Sequence, residues 1–258
     1  MSTLQIGLLL FVGMRQARRP ADAEHPLGYG KLSYFWSFIV ALLLFSVGGL
    51  FSIYEGIHKL LAPEPLNLPW VGMAVLAVAI VLEALSLTGA LREIRRLRGE
   101  QPLLDWVRQT RSAELVVILG EDIAALVGLV VAFGFLGLTV LTGDPVYDAL
   151  GSVVIGAVLV TVSMFIAQRI RGLLVGRSAE PALRAVIDRI IAADPAIDRV
   201  LNTITVQMGP KVMLAAKIAM RRGLSIDEAV LRINELERRL KAEAPQIGWC
   251  FIEPDLED

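Results

Sequence analysis

The sequence predicts an α-helical membrane protein with a small α+β domain at its C-terminus. Of the 258 residues, 55% are hydrophobic and the mean hydropathy is +0.62, whereas soluble domains are about 45–50% apolar. The apolar residues form long stretches up to about residue 176, and beyond it they follow the spacing of short helices and strands. These two observations predict a transmembrane domain at residues 1–176 and a C-terminal domain at residues 177–258.

Four stretches are long enough to cross a bilayer, for which about 20 mostly apolar residues are needed. They are roughly Ser33–Ile57, Leu68–Ala90, Leu115–Thr142 and Ala149–Ile170. A fifth apolar stretch, Leu4–Met14, has about half the length that a span needs. We interpret it as the end of a span whose beginning is absent.

Basic residues predict on which side of the bilayer each connection lies. They are frequent in the segment Arg15–Lys31, in the segment Arg92–Arg111 and after the last span. The two connections on the opposite side carry a single basic residue, Lys59. By the positive-inside rule, the arginine-rich connections and the C-terminus are predicted to be cytoplasmic.

The C-terminal domain begins with a predicted helix and a hairpin. Glu180–Ala193 has helical spacing of apolar residues. Apolar and polar residues alternate in Ile204–Met208 and, more loosely, in Val212–Met220, and Gly209-Pro210 lies between them as a turn signal. Two alternating segments joined by such a turn predict a β-hairpin.

A second helix and a third strand complete the predicted domain. Ser225 and Glu228 have the spacing of a capping box ahead of a helix. A short strand, GWCFIE, follows Pro245. The order α-β-β-α-β predicts a ferredoxin-like sheet covered by helices on one face. A domain of about 80 residues is only marginally stable alone, so a second copy is expected to stabilise it.

Two adjacent acids, Glu121 and Asp122, lie within the third apolar stretch. A charged residue at the bilayer centre costs at least ~2.5–3.5 kcal/mol on insertion scales, and such residues usually mark an ion or proton path. Alternatively, the span begins as late as Leu119 and both acids touch water at one interface. Adjacent helix positions are about 100° apart, so one acid is expected to face the bundle interior and the other a neighbouring helix.

Other features of the apolar stretches are open to two interpretations. Glu83 either coordinates an ion or carries a proton, or it joins helices by hydrogen bonds. Glu55 and His58 have a spacing that can hold a metal ion, although such a pair is more often simply solvated. Small residues recur every four positions beside the two acids, which permits close helix packing there. They are Gly120, Ala124, Gly128 and Ala132.

A resemblance to a known family begins at Arg18–Leu60, which reads RRPADAEHPLGYGKLSYFWSFIVALLLFSVGGLFSIYEGIHKL. It resembles the cation diffusion facilitator (cation efflux) family of divalent-metal transporters, and within it the zinc transporter 9 branch. Glu121–Gly128 (EDIAALVG), Thr142–Gly156 (TGDPVYDALGSVVIG) and Leu173–Pro181 (LLVGRSAEP) match the same branch in order. The resemblance implies six transmembrane helices and a cytoplasmic αββαβ domain in a homodimer that exchanges Zn²⁺ or a related cation for protons.

The resemblance also implies a transport site, shared in the family by helices 2 and 5. Asp122 matches the aspartate of the helix-5 motif H-x-x-x-D, Ile118 stands at the histidine position, and Glu121 is the nearby candidate to replace that ligand. This chain would supply the end of helix 2, helices 3–6 and the C-terminal domain. Its helix-2 fragment, MSTLQIGLLLFVGM, contains no Asp, Glu or His. We therefore expect the chain to be truncated at its N-terminus, with a complete span and an x-x-x-D motif encoded upstream, and not to transport as it stands.

An accessory metal site is implied in the loop before the first complete span. Some relatives bind a second metal there with an aspartate and two histidines. Asp22 and His25 match two of these ligands, whereas Tyr29 stands at the second histidine position. The alternative is that HPLGYG simply forms the turn into the span, with Gly28 and Gly30 supplying backbone freedom.

The C-terminal domain carries weaker metal candidates. Glu253 and Asp255 match ligand positions of relatives, but two carboxylates alone bind weakly, and the domain contains no histidine. The single cysteine, Cys250, excludes an intramolecular disulfide and a cysteine metal cluster.

These observations predict a proton-coupled exporter of a divalent cation, in the first place zinc, in the plasma membrane. The metal is the substrate, and no prosthetic group or nucleic-acid partner is expected. Loss of an imidazole ligand gives the site more oxygen character, which leaves Mn²⁺ and Mg²⁺ open as substrates. The alternative is a degenerate, non-transporting family member that acts as a dimeric binding or regulatory membrane protein. An enzyme is not expected, because the sequence contains no G-x-S-x-G, H-E-x-x-H or glycine-rich phosphate loop.

Overall fold

A computed structural model of the chain describes residues 3–63 and 69–257. The chain folds into two compact units. The first comprises Met1–Met14, Ser33–Val107 and Ala113–Arg171, and the second comprises Arg15–Leu32, Arg108–Ser112 and Gly172–Asp258. The second unit therefore combines the C-terminal domain with two segments that come much earlier in the chain.

Helices make up the first unit. They are α1 (Thr3–Ala17), α2 (Leu32–Leu43), α3 (Phe51–Leu61), α4 (Pro69–Arg98), α5 (Leu103–Gln109), α6 (Ala113–Thr142) and α7 (Val146–Val175). A π-helical turn at Leu44–Leu50 joins α2 to α3, so that Leu32–Leu61 is one continuous apolar helix.

The four predicted spans are confirmed. Among the described residues, four helices of 30 residues each are long and apolar enough to cross a membrane, namely Leu32–Leu61, α4, α6 and α7. The helix α4 extends beyond its apolar stretch, because arginine is a good helix former and the helix continues through its basic end to Arg98. Leu68, the predicted first residue of the second span, lies outside the described residues.

Local signals set the ends of these helices. Pro69 stands at the first position of α4, where its missing N–H leaves no hydrogen bond unmade. Gly99, directly after α4, and Gly143, directly after α6, have φ of +58° and +72°, a left-handed conformation in which glycine commonly ends helices. The Asp144 carboxylate accepts a hydrogen bond of 3.0 Å from the N–H of Val146 at the start of α7.

Glycines allow the first span to lie directly against α7. A Cβ atom on Gly156 of α7 would lie 2.7 Å from the carbonyl oxygen of Gly49 and 2.8 Å from the backbone nitrogen of Ile53. A Cβ on Gly56 would lie 2.8 Å from the carbonyl oxygen of Ala149. The two helices are therefore in backbone contact along several turns, which no larger residue at these positions permits.

The stripe of small residues on α6 also packs closely, as its spacing predicts. A Cβ on Gly120 would lie 2.7 Å from Cδ1 of Ile166, and one on Gly128 would lie 3.6 Å from Cγ2 of Ile155. Both isoleucines belong to α7. The other long contact of α6 is with α4.

The C-terminal part of the second unit has the predicted α-β-β-α-β order. Its elements are α8 (Pro181–Ala192), β1 (Ile197–Met208), β2 (Lys211–Met220), α9 (Ile226–Glu243) and β3 (Ile247–Pro254). The strand order is β1-β2-β3, with β1 and β2 antiparallel and β2 and β3 parallel. Together with the four apolar helices, this order confirms the predicted fold class.

The hairpin and the capping box form as predicted, and only the start of β1 differs. Gly209 adopts φ of +68° in the hairpin turn, and Ser225 and Glu228 exchange both hydrogen bonds of a capping box. The strand β1 begins at Ile197 rather than Ile204 because its first half contains two register irregularities. Such bulges interrupt the alternation of apolar and polar residues from which a strand is predicted.

One face of the sheet carries the core of this domain. Its fully buried side chains come from α8, β2 and α9, and they are Ile187, Ile191, Leu214, Ile218, Leu236 and Leu240. Ile204 of β1 and Phe251 of β3 are 53% and 56% exposed, respectively. These two side chains line a shallow groove on the sheet together with Asn202, Lys217 and Glu253.

Candidate metal site

Both acids of the third span are buried. The exposed fractions of Glu121 and Asp122 are 7% and 3%. The helix α6 begins at Ala113, so the acids lie in its third turn and not at its end. The structure thus supports the interpretation in which these acids face protein, and not the one in which both touch water.

Asp122 and a second carboxylate, Glu83, lie on α6 and α4, which pack against each other, and ionised carboxylates at these two positions would repel each other. Within the described part of the chain, Oε1 of Glu83 is buried and has no hydrogen-bond partner. Among the same residues, Asp122 has no hydrogen bond or ion pair. The sequence left the role of Glu83 open, because which residue of one helix meets which residue of another depends on packing.

The described residues do not form a complete metal site. No group of three or more His, Cys, Asp or Glu side chains within residues 3–63 and 69–257 could hold a metal ion, whereas Zn²⁺ commonly takes four ligands in a tetrahedron. Ile118, one turn before Asp122, supplies no ligand atom. Asp122 and Glu83 contribute two carboxylates to this region, and if both were ionised their combined charge would equal in magnitude that of one divalent cation.

The second candidate pair, Asp22 and His25, forms a hydrogen-bonded turn. The Asp22 carboxylate accepts bonds of 2.7 Å each from the backbone N–H of His25 and from the Tyr29 hydroxyl. The rings of His25 and Tyr29 stack with centroids 4.3 Å apart, and Gly28 has φ of +68°. Both Asp22 oxygens are engaged, so the geometry favours the interpretation as a turn, and an accessory metal site stays a proposal.

This turn rests on the β-hairpin of the same unit. A Cβ on Gly209 would lie 2.6 Å from the carbonyl oxygen of Gly30. Contact at this distance requires glycine in the hairpin turn, and its positive φ requires it independently. The loop before the first span is thereby fixed to the loop between β1 and β2.

Tyr29→Phe should raise the pKa of the Asp22 carboxyl toward its ordinary value of 3.8. The hydrogen bond from Tyr29 is the largest cause that holds this pKa low, followed by the backbone N–H of His25. A depressed pKa stabilises the folded turn above the unfolded-state value and is lost as pH falls through the folded-state value. In the wild type the turn should therefore loosen below about pH 4, and in Tyr29→Phe it should loosen at a higher pH.

Carbon-13 NMR of labelled aspartate carboxyls measures this pKa, with Tyr54→Phe, which alters an exposed tyrosine, as the control. An unchanged Asp22 pKa in Tyr29→Phe would contradict the role given to the hydroxyl. Joint shifts of the Asp22 and His25 signals on addition of Zn²⁺ would support the accessory metal site instead.

The remaining candidates are engaged in other contacts. Asp255 forms an ion pair of 2.9 Å with Lys217, which holds the pKa of that carboxyl low. Burial raises the pKa of the Cys250 thiol to about 11, so it is protonated and a poor ligand at neutral pH. Oε1 of Glu55 lies 3.5 Å from Nζ of Lys59. This ion pair favours the interpretation of Glu55 and His58 as ordinary solvated residues over that of a metal-binding pair.

Sequence reasoning missed two polar contacts that hold segments together. Lys59 at the end of α3 forms an ion pair of 3.1 Å with Asp148 of α7. The opposite charges of these two residues are the only feature of the sequence from which this contact could have been predicted. Buried Arg111 donates through its backbone N–H to Glu180 at 2.9 Å, and through its guanidinium to the carbonyls of Ser178 and Ala179 at 2.8 and 3.1 Å. No pattern indicates that second contact, because nearly 70 residues separate its partners.

Comparison with known proteins gives a matching family model and several similar transporters. A family model described as the cation efflux transmembrane domain matches residues 3–173. The mitochondrial proton-coupled zinc antiporter SLC30A9 of Xenopus laevis is 34% identical over 234 residues, which cover 90% of this chain and 41% of that protein. The antiporter of the same name from Homo sapiens is 30% identical over 234 residues, which cover 90% of this chain and 40% of that protein. The cation-efflux pump FieF of Cronobacter sakazakii is 26% identical over 233 residues, which cover 90% of this chain and 72% of that pump.

The chain thus spans about two-fifths of the length of the zinc antiporters that it matches. These antiporters are mitochondrial by name, so the expectation of a plasma-membrane location is wrong. The physical reason is that loop charges predict on which side of a bilayer a connection lies but do not identify the membrane. The multi-pass topology itself is supported by the four apolar helices.

Proposed function

This chain belongs to the cation efflux family, and on that premise we propose that it is a transmembrane subunit of a transporter that exchanges a divalent metal cation for protons. The resemblance to the zinc transporter 9 branch is confirmed by the zinc antiporters at 30–34% identity over 90% of the chain. The family consists of transporters, and the chain is not an enzyme. The metal is the transported substrate, and zinc is the first candidate because two of the relatives are named for it.

The observation that carries the proposal is the buried, unpaired carboxylate of Asp122 in a membrane-spanning helix. A carboxylate at this depth is costly without a counter-charge, and a bound cation supplies one. Carboxylates must lose their protons before they bind a metal, so metal binding releases protons and metal release takes them up. Asp122, with Glu121 beside it, is the proposed ligand, and its chemistry couples the two ions.

Zinc flux into sealed vesicles tests the proposal directly. The chain would be reconstituted into liposomes that enclose a zinc-sensitive dye, and a pH gradient would be imposed across the membrane. The sequence alone led to the expectation that this chain does not transport as it stands, whereas the proposed function predicts Zn²⁺ entry that depends on the size and direction of the gradient and is absent from protein-free liposomes. A chain that neither binds Zn²⁺ nor moves it under any gradient would overturn the proposed function.

A second candidate function is supported by the incomplete ligand set. Since no group of three metal-ligating side chains forms among the described residues, the chain could be a dimeric binding or regulatory protein of the membrane. The same vesicles separate the two functions. Saturable Zn²⁺ binding without flux favours the regulatory protein, and flux driven by the pH gradient favours the transporter.

We expect residues 177–258 to form a dimer, and to do so without zinc. The exposed side chains of Ile204 and Phe251 on the open face of the sheet would be covered by a second copy. This part of the chain contains no histidine, so a zinc bridge through imidazoles is not available to it. Analytical ultracentrifugation of the isolated domain at micromolar concentration should show the dimer in the presence of a metal chelator.

Two substitutions refine this experiment. Phe251→Glu should shift the domain toward monomer because it places a charge in the apolar contact. Ile226→Ser, at a position on α9 that is 83% exposed, should leave the dimer intact. A wild-type domain that stays monomeric, or that associates only when zinc is added, would contradict the expectation.

A further inference from the structure

Glu83 is placed where it could share a cation with Asp122. It lies at the midpoint of α4, a helix long enough to cross the membrane. The helix α4 packs along α6, and residues near the arginine-rich end of that contact form a small apolar cluster that includes Ile94 and Leu119. Glu83 and Asp122 lie on the far side of this cluster from the basic end of α4. Both acids therefore lie within the apolar parts of their helices.

Neither carboxylate has a hydrogen bond or an ion pair within the described residues. Glu83 is partly buried as a residue, and its Oε1 is buried and accepts no hydrogen bond from residues 3–63 and 69–257. Asp122 is more than nine-tenths buried and, within the part of the chain that is described, has neither a hydrogen bond nor an ion pair. If both were ionised, their charges would repel each other. A buried carboxylate without a counter-charge is either neutral through protonation or stabilised by a bound cation, and exchange between these two states is what a metal–proton antiporter requires.

We propose that Glu83 is a ligand of the transported cation, which it shares with Asp122 across the contact between α4 and α6. This inference rests on the proposed function and adds to it a residue from a second membrane-spanning helix, α4. A single divalent cation neutralises both carboxylates, whereas a monovalent cation leaves one of them uncompensated. Two carboxylates give the site oxygen donors, which bind Zn²⁺ and are also suitable ligands for Mn²⁺.

Binding of Zn²⁺ to the purified 258-residue chain in detergent tests the inference. The dissociation constant would be measured by competition with a fluorescent chelator for the wild type, Glu83→Gln, Asp122→Asn and the double variant. We expect each single substitution to weaken binding at least about tenfold. The double variant should weaken it by less than the product of the two single effects, because both side chains hold one ion.

A control on the same helix separates ligation from packing. Glu93 of α4 is exposed and lies 3.6 Å from Arg96, so Glu93→Gln makes the same chemical change away from the site and should bind Zn²⁺ as the wild type does. Glu83→Asp keeps the charge on a shorter side chain, and its affinity should fall between those of the wild type and Glu83→Gln. A residue that only joins helices would change the melting temperature and leave the dissociation constant unchanged.

The outcomes distinguish the two proposals. If Asp122→Asn loses binding while Glu83→Gln matches Glu93→Gln, Glu83 is not a ligand and the proposed function stands. If the wild type neither binds nor transports Zn²⁺, the proposed function fails, and the inference about Glu83 fails with it. Comparable losses of Zn²⁺ affinity in Glu83→Gln and Asp122→Asn, with unchanged melting temperatures, support both the proposed function and the role of Glu83 as a ligand.

Discussion

Asp122→Asn should reduce metal flux to the level of protein-free vesicles while the chain remains folded and inserted. The amide has nearly the same size as the carboxylate but carries no charge, so it cannot neutralise a cation or exchange a proton with it. Asp122 is buried and makes no hydrogen bond or ion pair within the described residues. Removal of an unpaired buried charge does not destabilise a fold, and the melting temperature should therefore be unchanged or higher.

The measurement is zinc entry into sealed vesicles under a pH gradient, made with equal amounts of inserted protein. Asp144→Asn is the matched control, because it makes the same change at an exposed position where the amide oxygen can still accept the N–H of Val146. Wild-type flux in Asp122→Asn would remove Asp122 from the transport site. Loss of flux in both variants would show that the change of charge acts non-specifically.

Gly156→Leu should destabilise the transmembrane helices by roughly 3 kcal/mol or more, at the upper end of the cost of overpacking. Its Cβ alone would lie within 2.8 Å of the Gly49 carbonyl oxygen and the Ile53 nitrogen. Both are backbone atoms of the first span, which cannot rotate away as a side chain can. The two helices would have to separate, and the unfolding temperature in detergent should fall strongly.

Gly89→Leu provides the control for the added side chain. Within residues 3–63 and 69–257, no atom lies within 4 Å of a Cβ placed on Gly89 of α4. Leucine also has a higher helix propensity than glycine by roughly 0.8 kcal/mol. This variant should be as stable as the wild type or more so. Equal melting temperatures for Gly156→Leu and Gly89→Leu would show that the close approach of the first span and α7 is not required for stability.

Local patterns predicted most of the fold. The four spans followed from apolar runs, the hairpin from Gly209-Pro210, and the start of α9 from Ser225 and Glu228, because each of these signals acts within a few residues of the structure that it determines. The early part of β1 was missed where bulges break the alternation. The position of a bulge cannot be predicted from the pattern of a single strand, since it depends on how that strand pairs with its partner.

The candidate site was predictable only in part. Asp122 stood out as an acid in an apolar stretch, whereas its neighbour Glu83 is 39 positions earlier in the chain, and only the packing of α4 on α6 brings the two together. The contacts of Arg111 with Ser178–Glu180 were hidden for the same reason. Position along the chain gives the depth of a residue in the membrane, but the direction in which it faces depends on the packing of neighbouring helices.

The contact of Gly30 with Gly209 has a consequence for the order in which the protein can be made. The early loop belongs to a unit whose hairpin leaves the ribosome only after nearly 180 further residues have been added. At ~5–20 residues per second this delay lasts roughly 10–40 s, during which all four spans have been synthesised and the loop has no surface to dock on. Closure of the second unit is thus a late event in biogenesis, and a quality-control protease would find this loop accessible in every nascent chain whose synthesis stops before the hairpin.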